Sequence, residues 1–295
     1  MPNSQKNPAF QEFTATAAAI AREAGAILMQ HRGRVRIEYK GEADLVTAAD
    51  RASEAHITAR LRACYPDHVL IGEEGGRAAG GGKANAEAQE DDGYCWYIDP
   101  LDGTTNYAHG LPFFAVSMGL QYHGQTVAAA VYNPPLDEMF TATAGGGAQL
   151  NGHPIAVSPQ TELAQSLLAT GFPSRKRHLN PNIHFYYYFS VRTHGMRRLG
   201  AAALDLCYTA CGRFEGFWEF HLKPWDTAAG GLIVTEAGGA LTDIAGAPHQ
   251  LDSPEVLASN GHLHAELLAV FTRLFGGERE VLPAPETYFG TRVGA

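Results

Sequence analysis

Hydrophobic residues recur at helical spacing in the first part of the chain. Residues 10–31 carry an apolar stripe with i, i+3, i+4 and i+7 spacing, which predicts an amphipathic helix. The stripe consists of Phe13, Ala17, Ile20, Ala24 and Ile27. A second helix is predicted to begin near Thr47, whose side chain can cap it, and to end before Pro66.

After the second helix the hydrophobic pattern changes. Short apolar or aromatic runs at 69–72 and 94–98 predict buried strands. The intervening residues 75–93 have no core-forming pattern, which indicates either a mobile surface loop or a simple insertion. Between 113 and 157, short runs separated by turn residues predict an antiparallel meander.

The second half of the chain alternates between helical and extended patterns. The predicted order is a helix at 197–212, a strand at 214–220, a helix at 225–238, strands at 240–244 and 255–259, and a helix at 262–275. Sheets and helices in successive blocks predict a layered α+β or α/β sandwich rather than a bundle or a pure barrel.

The same pattern predicts one folded unit over residues 10–275, with two α/β halves, 10–157 and 158–275. Residues 1–9 are predicted to be a flexible N-terminus. The tail, 276–295, has Gly, Pro and charge without periodicity, so partial disorder is expected there.

Composition and charge exclude several classes of protein. Of 295 residues, 45% are hydrophobic and 18% charged, which excludes a disordered or collagen-like chain. The net charge of −9 argues against nucleic acid as a partner. With no signal-like N-terminus and no run of ~20 apolar residues, we expect a cytoplasmic protein without membrane contact. The four cysteines show no paired CxxC spacing, which favours buried thiols.

The segment WYIDPLDGTTN, residues 96–106, carries the candidate chemistry. A predicted strand delivers Asp99 to its end, Pro100 is expected to stop the pairing, and Asp102 follows. Two carboxylates ~4 Å apart repel by about 4 kcal/mol at an effective dielectric near 20, unless a proton or cation separates them. Oxygen ligands suit Mg²⁺ or Mn²⁺, and the N–H groups of Gly103 and Thr104 could hold a phosphate beside the metal. The segment therefore predicts a metal-assisted phosphatase.

Asp99 and Asp102 could instead be ordinary turn and cap residues. Acidic residues at three other junctions favour the metal site over that alternative. Glu73 follows a predicted strand, Asp50 lies at a predicted helix start, and Asp226 lies at a predicted strand-to-helix junction.

Four segments resemble the signatures of the inositol monophosphatase family, within the lithium-sensitive superfamily of Mg²⁺-dependent phosphatases. They are DLVTAAD (44–50), IGEEGG (71–76), WYIDPLDGTTNYAHGLPFFAVSMGL (96–120) and KPWDTAAGGLIVTEAGG (223–239), in the order of the family. The resemblance covers about residues 10–275. It implies a layered αβαβα sandwich, a homodimer, inhibition by lithium and an inositol-1-phosphate phosphatase activity.

The resemblance also implies roles for individual residues. The implied ligands of up to three Mg²⁺ are Glu73, Asp99, the carbonyl of Leu101, Asp102 and Asp226. Thr104, with Glu73 and Asp50 behind it, is implied to orient and deprotonate the attacking water. The implied substrate contacts are Gly103, Thr104, Thr105, Ser174, Gly200, Ala201, Ala202, Glu219 and Asp226. Among these, Glu219 would accept a hydrogen bond from a ring hydroxyl of a polyol phosphate.

Three further features have two interpretations each. The basic run at 175–178 is either a solvated loop or a site for a second phosphate. The aromatic run at 184–190 predicts either core or a dimer contact. His109 is interpreted as a structural residue rather than a ligand.

Alternative functions remain open at this stage. Within the same superfamily they are fructose-1,6-bisphosphatase, histidinol-phosphatase and 3'-phosphonucleotide phosphatase. An alternative from another class is an interaction protein. This alternative rests on the resemblance to bacterial members of the family that associate with the transcription machinery.

Overall fold

The computed structural model describes residues 7–33, 37–39, 45–78, 93–172, 180–278 and 281. The helices in these ranges are α1 Pro8–His31, α2 Ala48–Cys64, α3 Thr104–Ala108, α4 Asn182–Ser190, α5 Ala202–Ala210, α6 Pro224–Glu236 and α7 His264–Phe275. The first strands are β1 Ile37–Tyr39, β2 Leu45–Thr47, β3 Val69–Gly72, β4 Gly76–Ala78, β5 Tyr94–Asp102, β6 Ala115–Tyr122, β7 Gln125–Asn133 and β8 Glu138–Thr143. The remaining strands are β9 Gly147–Leu150, β10 His153–Pro154, β11 Leu167–Thr170, β12 Gly195–Arg197, β13 Gly216–Phe220, β14 Ala240–Thr242 and β15 Glu255–Ser259.

The described strands form two main sheets and a small separate pair, β1–β2. The larger sheet has eight described strands in the order β10-β9-β8-β7-β6-β5-β3-β4. It is antiparallel from β5 to β10, which confirms the predicted meander, whereas β3 and β5 are parallel. The smaller sheet has five described strands in the order β12-β11-β13-β15-β14.

The helices separate the two sheets and cover their outer faces. α1 and α2 pack on one face of the larger sheet, and α5 and α6 lie between the sheets. α4 and α7 cover the outer face of the smaller sheet. The layers therefore follow the order αβαβα, and the predicted layered sandwich is confirmed.

The predicted stripes of α1 and α2 are largely correct. Phe13, Ala17, Ile20 and Ala24 are buried, but Ile27 is only partly buried and Leu28 takes the inner position. Thr47 caps α2, as predicted, because its side chain accepts a hydrogen bond from the Ala49 N–H at 3.1 Å. The cysteines are only partly as expected: Cys95 and Cys207 are buried, Cys211 is half-buried and Cys64 is exposed.

Several predicted boundaries were wrong. The helix predicted at 197–212 begins at Ala202, because Arg197 still pairs with Ala169 of β11 and Gly200 has a φ of 83°. Residues 76–78, expected to be loop, form edge strand β4 against β3. α1 begins at Pro8, inside the stretch predicted to be flexible.

The aromatic run at 184–190 forms most of α4 and belongs to the core. Phe185, Tyr188 and Phe189 are buried against Phe271 of α7 and the smaller sheet. Of the two interpretations given to the run, the core is therefore correct for these three rings. Their apolar character no longer supports a dimer contact. No helix in the described part of the chain is long and apolar enough to span a membrane.

We predict that Gly119→Ala destabilises the protein, because the backbone of β6 lies close against α6 at this glycine. An added Cβ would lie 2.8 Å from the Cβ of Ala228 and 2.9 Å from the backbone nitrogen of Ala229. Overpacking of this kind costs about 1–3 kcal/mol of unfolding free energy, which thermal denaturation can measure. Gly93→Ala is the control, since an added Cβ there has no heavy atom of the described residues within 4 Å. Equal melting temperatures for the two variants would contradict the prediction.

Candidate active site

Asp99 and Asp102 lie at an irregularity in strand β5. Between these two residues the pairing with β6 shifts by one residue, so β5 contains a bulge. Residues three apart in a regular strand face opposite sides of the sheet, and the extra residue of the bulge changes this alternation. Pro100 therefore interrupts the pairing, as predicted, but the strand continues to Asp102 rather than ending at Asp99.

Each aspartate of the site accepts a hydrogen bond from a backbone N–H group. Asp99 accepts from Leu101 at 2.9 Å, within the bulge. Asp102 accepts from Ala203 at 2.8 Å, in the first turn of α5. Asp226, the third residue of α6, accepts from Lys223 at 2.7 Å. A carboxylate has about four lone-pair sites, so these contacts orient each group and leave capacity for a further ligand.

Glu73 lies in the turn between β3 and β4, next to the bulge. Its own N–H donates to the carbonyl of Ile98 in β5 at 3.2 Å, which fixes the turn against that strand. Its side chain is half-buried and interacts electrostatically with both Asp99 and Asp102. The four predicted carboxylates therefore come from three different places in the fold and interact electrostatically near one end of β5.

Burial and mutual repulsion raise the pKa values of these carboxyl groups. Burial raises the pKa of Asp99 well above its usual range, and Glu73, Asp102 and Asp226 raise it further. Burial raises the pKa of Asp102 to about 7, although the N–H of Ala203 opposes the shift. Burial also raises the pKa of Asp226 to about 7, with a further contribution from Asp102. Ionised, these groups need a nearby positive charge.

The donor set fits a hard divalent cation. Its side chains offer only carboxylate oxygens, and the Leu101 carbonyl lies beside them in the bulge, which is the ligand type that Mg²⁺ prefers. Among the described residues no three acidic, histidine or cysteine side chains are close enough to form a ready-made cage. Their oxygens contact backbone N–H groups instead, as expected for carboxylates that repel each other.

Thr104 and Asp50 form a hydrogen-bonded pair beside the carboxylates. The Thr104 hydroxyl lies 3.2 Å from Asp50 Oδ1 and 3.0 Å from the carbonyl oxygen of Leu101. Asp50 also accepts from the backbone N–H of Thr47 at 2.9 Å and from its hydroxyl. Burial raises the pKa of Asp50. The pairing joins the start of α2 to the start of α3.

The start of α3 is shaped by a glycine that tolerates no side chain. Gly103 has a φ of 88°, and an added Cβ would lie 3.0 Å from the carbonyl oxygen of Phe113 and 3.2 Å from the Cβ of Ala201. Thr105 is exposed, and Gly103 and Thr104 are half-buried. Solvent can therefore reach this turn, above the buried aspartates.

The segment 200–202 lies beside the site but is mostly covered. Ala201 and Ala202 are 1% and 7% exposed, so their side chains offer little surface to a substrate. They form the entry to α5, whose first turn binds Asp102. The structure thus places the predicted substrate wall against Asp102 and Gly103.

Glu219 lies on β13, on the side of the site away from α2. Burial raises its pKa to about 8, with smaller contributions from Asp226 and Asp102, while Arg198 lowers it. Its carboxylate fills the space beside Gly171, where an added Cβ would lie 2.0 Å from Oε2. Glu219 therefore reaches the same group of carboxylates from the second sheet.

Two residues near the site were not found from the sequence. Asp205 in α5 is fully buried, and neither of its carboxylate oxygens has a hydrogen-bond partner among the described residues. Asn106 donates to the carbonyls of Phe113 at 2.8 Å and Leu199 at 2.7 Å, which ties α3 to the segment before α5. Asn106 lies inside the segment 96–120 and Asp205 inside the helix predicted at 197–212, but a single sequence does not show what surrounds either side chain in the fold.

Two predicted features have no described position. Ser174 and the basic run 175–178 lie outside the described residues. His109 is the residue that follows α3; it is exposed, and its backbone N–H donates to the carbonyl of Thr105 at 3.1 Å.

Known proteins resemble this chain over most of its length. The sequence profile described as the inositol monophosphatase family matches residues 9–274. The Nus factor SuhB of Pseudomonas aeruginosa is 43% identical over 254 residues, 84% of this chain and 91% of the relative. An inositol-1-monophosphatase of Synechocystis is 44% identical over 256 residues, 86% of this chain and 85% of the relative.

Solved structures share the fold as well. The inositol monophosphatase from Anabaena is 38% identical with a TM-score of 0.79, covering 89% of this chain and 96% of that one. The extragenic suppressor protein suhB from Bartonella henselae is 37% identical with a TM-score of 0.82, covering 89% of this chain and 99% of that one. Profile, sequence and structure agree that this chain belongs to the inositol monophosphatase family.

Proposed function

We propose that the chain is a Mg²⁺-dependent phosphomonoester hydrolase that acts best on inositol-1-phosphate, releasing myo-inositol and phosphate. The proposal is carried by two observations: Glu73, Asp102 and Asp226 all act electrostatically on the buried Asp99, and the Thr104 hydroxyl lies 3.0 Å from the Leu101 carbonyl oxygen between the two aspartates of β5. Family membership supports the phosphatase activity, and the relatives named inositol-1-monophosphatase support the substrate.

The proposed ligands are the four carboxylates and the carbonyl of Leu101. When bound, Mg²⁺ would lower the pKa of a water molecule and neutralise charge on the attacking and leaving oxygens. The backbone N–H bonds to Asp99, Asp102 and Asp226 hold these groups in place before the metal arrives. Mn²⁺ shares the preference for oxygen ligands and is a possible substitute.

Thr104 and Asp50 are proposed to accept the proton of the attacking water. The Thr104 oxygen can accept a hydrogen bond from the water while its own proton points toward Asp50, 3.2 Å away. As the water oxygen bonds to phosphorus, its proton passes to Thr104 and the Thr104 proton passes to Asp50. The bond from phosphorus to the leaving oxygen breaks, and that oxygen takes a proton from solvent. Glu73 is proposed to assist as a second acceptor.

The substrate's leaving group is proposed to face Glu219. A carboxyl group there can exchange hydrogen bonds with ring hydroxyls, whereas a second phosphate would bring more negative charge beside Asp226 and Asp102, which already raise the pKa of Glu219. This favours a polyol monophosphate over fructose-1,6-bisphosphate. The turn at 103–105, which is open to solvent, is proposed to contact the phosphate.

A second candidate function is an interaction role connected with transcription. It is favoured by the name Nus factor SuhB, carried by the Pseudomonas relative at 43% identity. We propose that this role would be added to catalysis rather than replace it, because the sequence keeps every carboxylate proposed for catalysis. A phosphatase assay and a binding assay with RNA polymerase test the two functions separately.

A homodimer is also proposed, on the resemblance to the family alone. Three rings of α4 are buried inside the chain, so they are not available for this contact. Ile183 and Val191, at the two ends of α4, are 50% and 57% exposed.

Turnover should depend strictly on a divalent cation and on Asp99. We expect chelation to abolish phosphate release from inositol-1-phosphate and Mg²⁺ to restore it. Asp99→Asn keeps the size of the side chain but removes a charge, so the variant should fold and lose activity at every Mg²⁺ concentration. Circular dichroism provides the folding control. Near-wild-type turnover by Asp99→Asn would identify the bulge as a turn without a catalytic role.

Without metal, the folded protein should lose stability as the pH rises. The pKa values of Asp102 and Asp226, about 7, and of Glu219, about 8, lie above those of unfolded carboxyl groups. The folded state therefore binds more protons than the unfolded state. The stability that this provides is lost as the pH rises through these pKa values. We expect the melting temperature in chelator to fall between pH 6.5 and 8.5.

The pH range for this measurement begins at 6.5 because, below that pH, buried histidines make the stability rise with pH. Burial lowers the pKa of His68 to about 4 and also lowers that of His264. Added Mg²⁺ should flatten the slope, as should Asp99→Asn, which removes one repelling charge. A melting temperature that rises across this window in chelator would contradict the assignment of the site.

Glu219→Gln should reduce kcat/KM for inositol-1-phosphate more than for an aryl phosphate. The aryl leaving group lacks ring hydroxyls, so kcat/KM for the aryl phosphate should depend little on Glu219. A mismatched hydrogen bond costs about 1–3 kcal/mol, roughly ten- to hundred-fold in kcat/KM. Equal losses for both substrates would show that Glu219 does not select the leaving group, and fructose-1,6-bisphosphate should be tested beside them.

A further inference from the structure

One face of helix α2 contacts the start of α3, the bulge in β5 and the turn that holds Glu73. Its buried polar residues Asp50, Ser53 and Glu54 are 1%, 0% and 9% exposed. Their i, i+3 and i+4 spacing places them on the same side of the helix. Asp50 binds Thr104, as described above, so one of the three already has a place in the proposed mechanism.

Ser53 contacts the bulge that holds Asp99 and Asp102. Its hydroxyl donates to the carbonyl oxygen of Pro100 at 2.9 Å. Pro100 lies where the pairing of β5 with β6 is interrupted, so the strand ladder does not determine the path of the chain there. The hydrogen bond from α2 sets the position of the peptide between Asp99 and the Leu101 carbonyl.

Glu54 contacts the turn that holds Glu73. Its Oε1 accepts a hydrogen bond from the N–H of Gly75 at 2.9 Å. An added Cβ on Gly72 would lie 1.9 Å from the same oxygen, and one on Gly75 would lie 3.3 Å away. The Glu54 carboxylate thus occupies the space between two glycines, one on each side of Glu73 and Glu74.

We propose that Ser53 and Glu54 are positioning residues that set the spacing between Glu73 and the Asp99–Asp102 bulge, and thereby the affinity for divalent metal. Both residues project from one rigid helix, so the two acidic segments are held relative to each other through α2. Side chains that support metal ligands in this way typically change affinity by about 10- to 100-fold when removed. This inference rests on the proposed metal-dependent function.

The test measures metal binding directly, by calorimetric titration of the metal-stripped full-length protein with Mg²⁺ or Mn²⁺. Ser53→Ala and Glu54→Leu should each weaken binding by about 10- to 100-fold. Glu54→Gln keeps an oxygen for the Gly75 N–H and should bind metal nearly as tightly as the wild type. The same order should appear in the Mg²⁺ concentration that gives half-maximal phosphatase activity.

Ile57→Val is the matched control for a general loss of stability. Ile57 is fully buried on the same helix but contacts the hydrophobic core. This variant should lower the melting temperature without changing metal affinity. If Glu54→Leu does not fold, Ser53→Ala alone tests the effect on metal affinity. Unchanged metal affinity in Ser53→Ala and Glu54→Leu would overturn this inference while leaving the proposed function intact. A wild-type protein that binds no divalent metal would overturn both.

Discussion

Asp99 and Asp102 are buried carboxyl groups three residues apart, and both burial and neighbouring carboxylates oppose their ionised forms. The surrounding elements compensate for this repulsion. The first turn of α5 donates to Asp102, the bulge donates to Asp99, and the start of α6 donates to Asp226. Helix N-termini favour negative charge, so two of the three contacts come from places where it is best tolerated.

The same constraint explains why the site lies where the layers meet. The bulge belongs to the larger sheet, Glu219 to the smaller sheet, and α5 and α6 fill the space between them. Asn106 adds a direct link, because its side chain donates to carbonyls on both sides of the site. Closely packed small residues, such as Gly103 against Ala201, allow these segments to approach.

Much of this arrangement could be predicted from the sequence, for physical reasons. The stripe of α1, the Thr47 cap and the meander follow from local periodicity and turn chemistry, and the acidic junctions indicated a shared site. The start of α5 could not be predicted, since Arg197 is held in a strand by pairing with Ala169, far away in the sequence. The burial of Phe185 and Phe189 likewise depends on α7. Ser53 and Glu54 did give a signal, their spacing from Asp50, but their partners depend on the tertiary fold.

Two further carboxyl groups, Asp205 and Glu219, lie on the side of the site away from α2. Burial raises the pKa of Asp205 well above its usual range, and the nearby Glu219 raises it further. Burial opposes the ionised form of both groups, and a carboxyl group that keeps its proton can donate as well as accept hydrogen bonds. Arg198, which is exposed, lowers the pKa of both groups and supplies positive charge at the rim. This pairing of donors and acceptors supports the proposed leaving group rich in hydroxyls over one that carries a second phosphate.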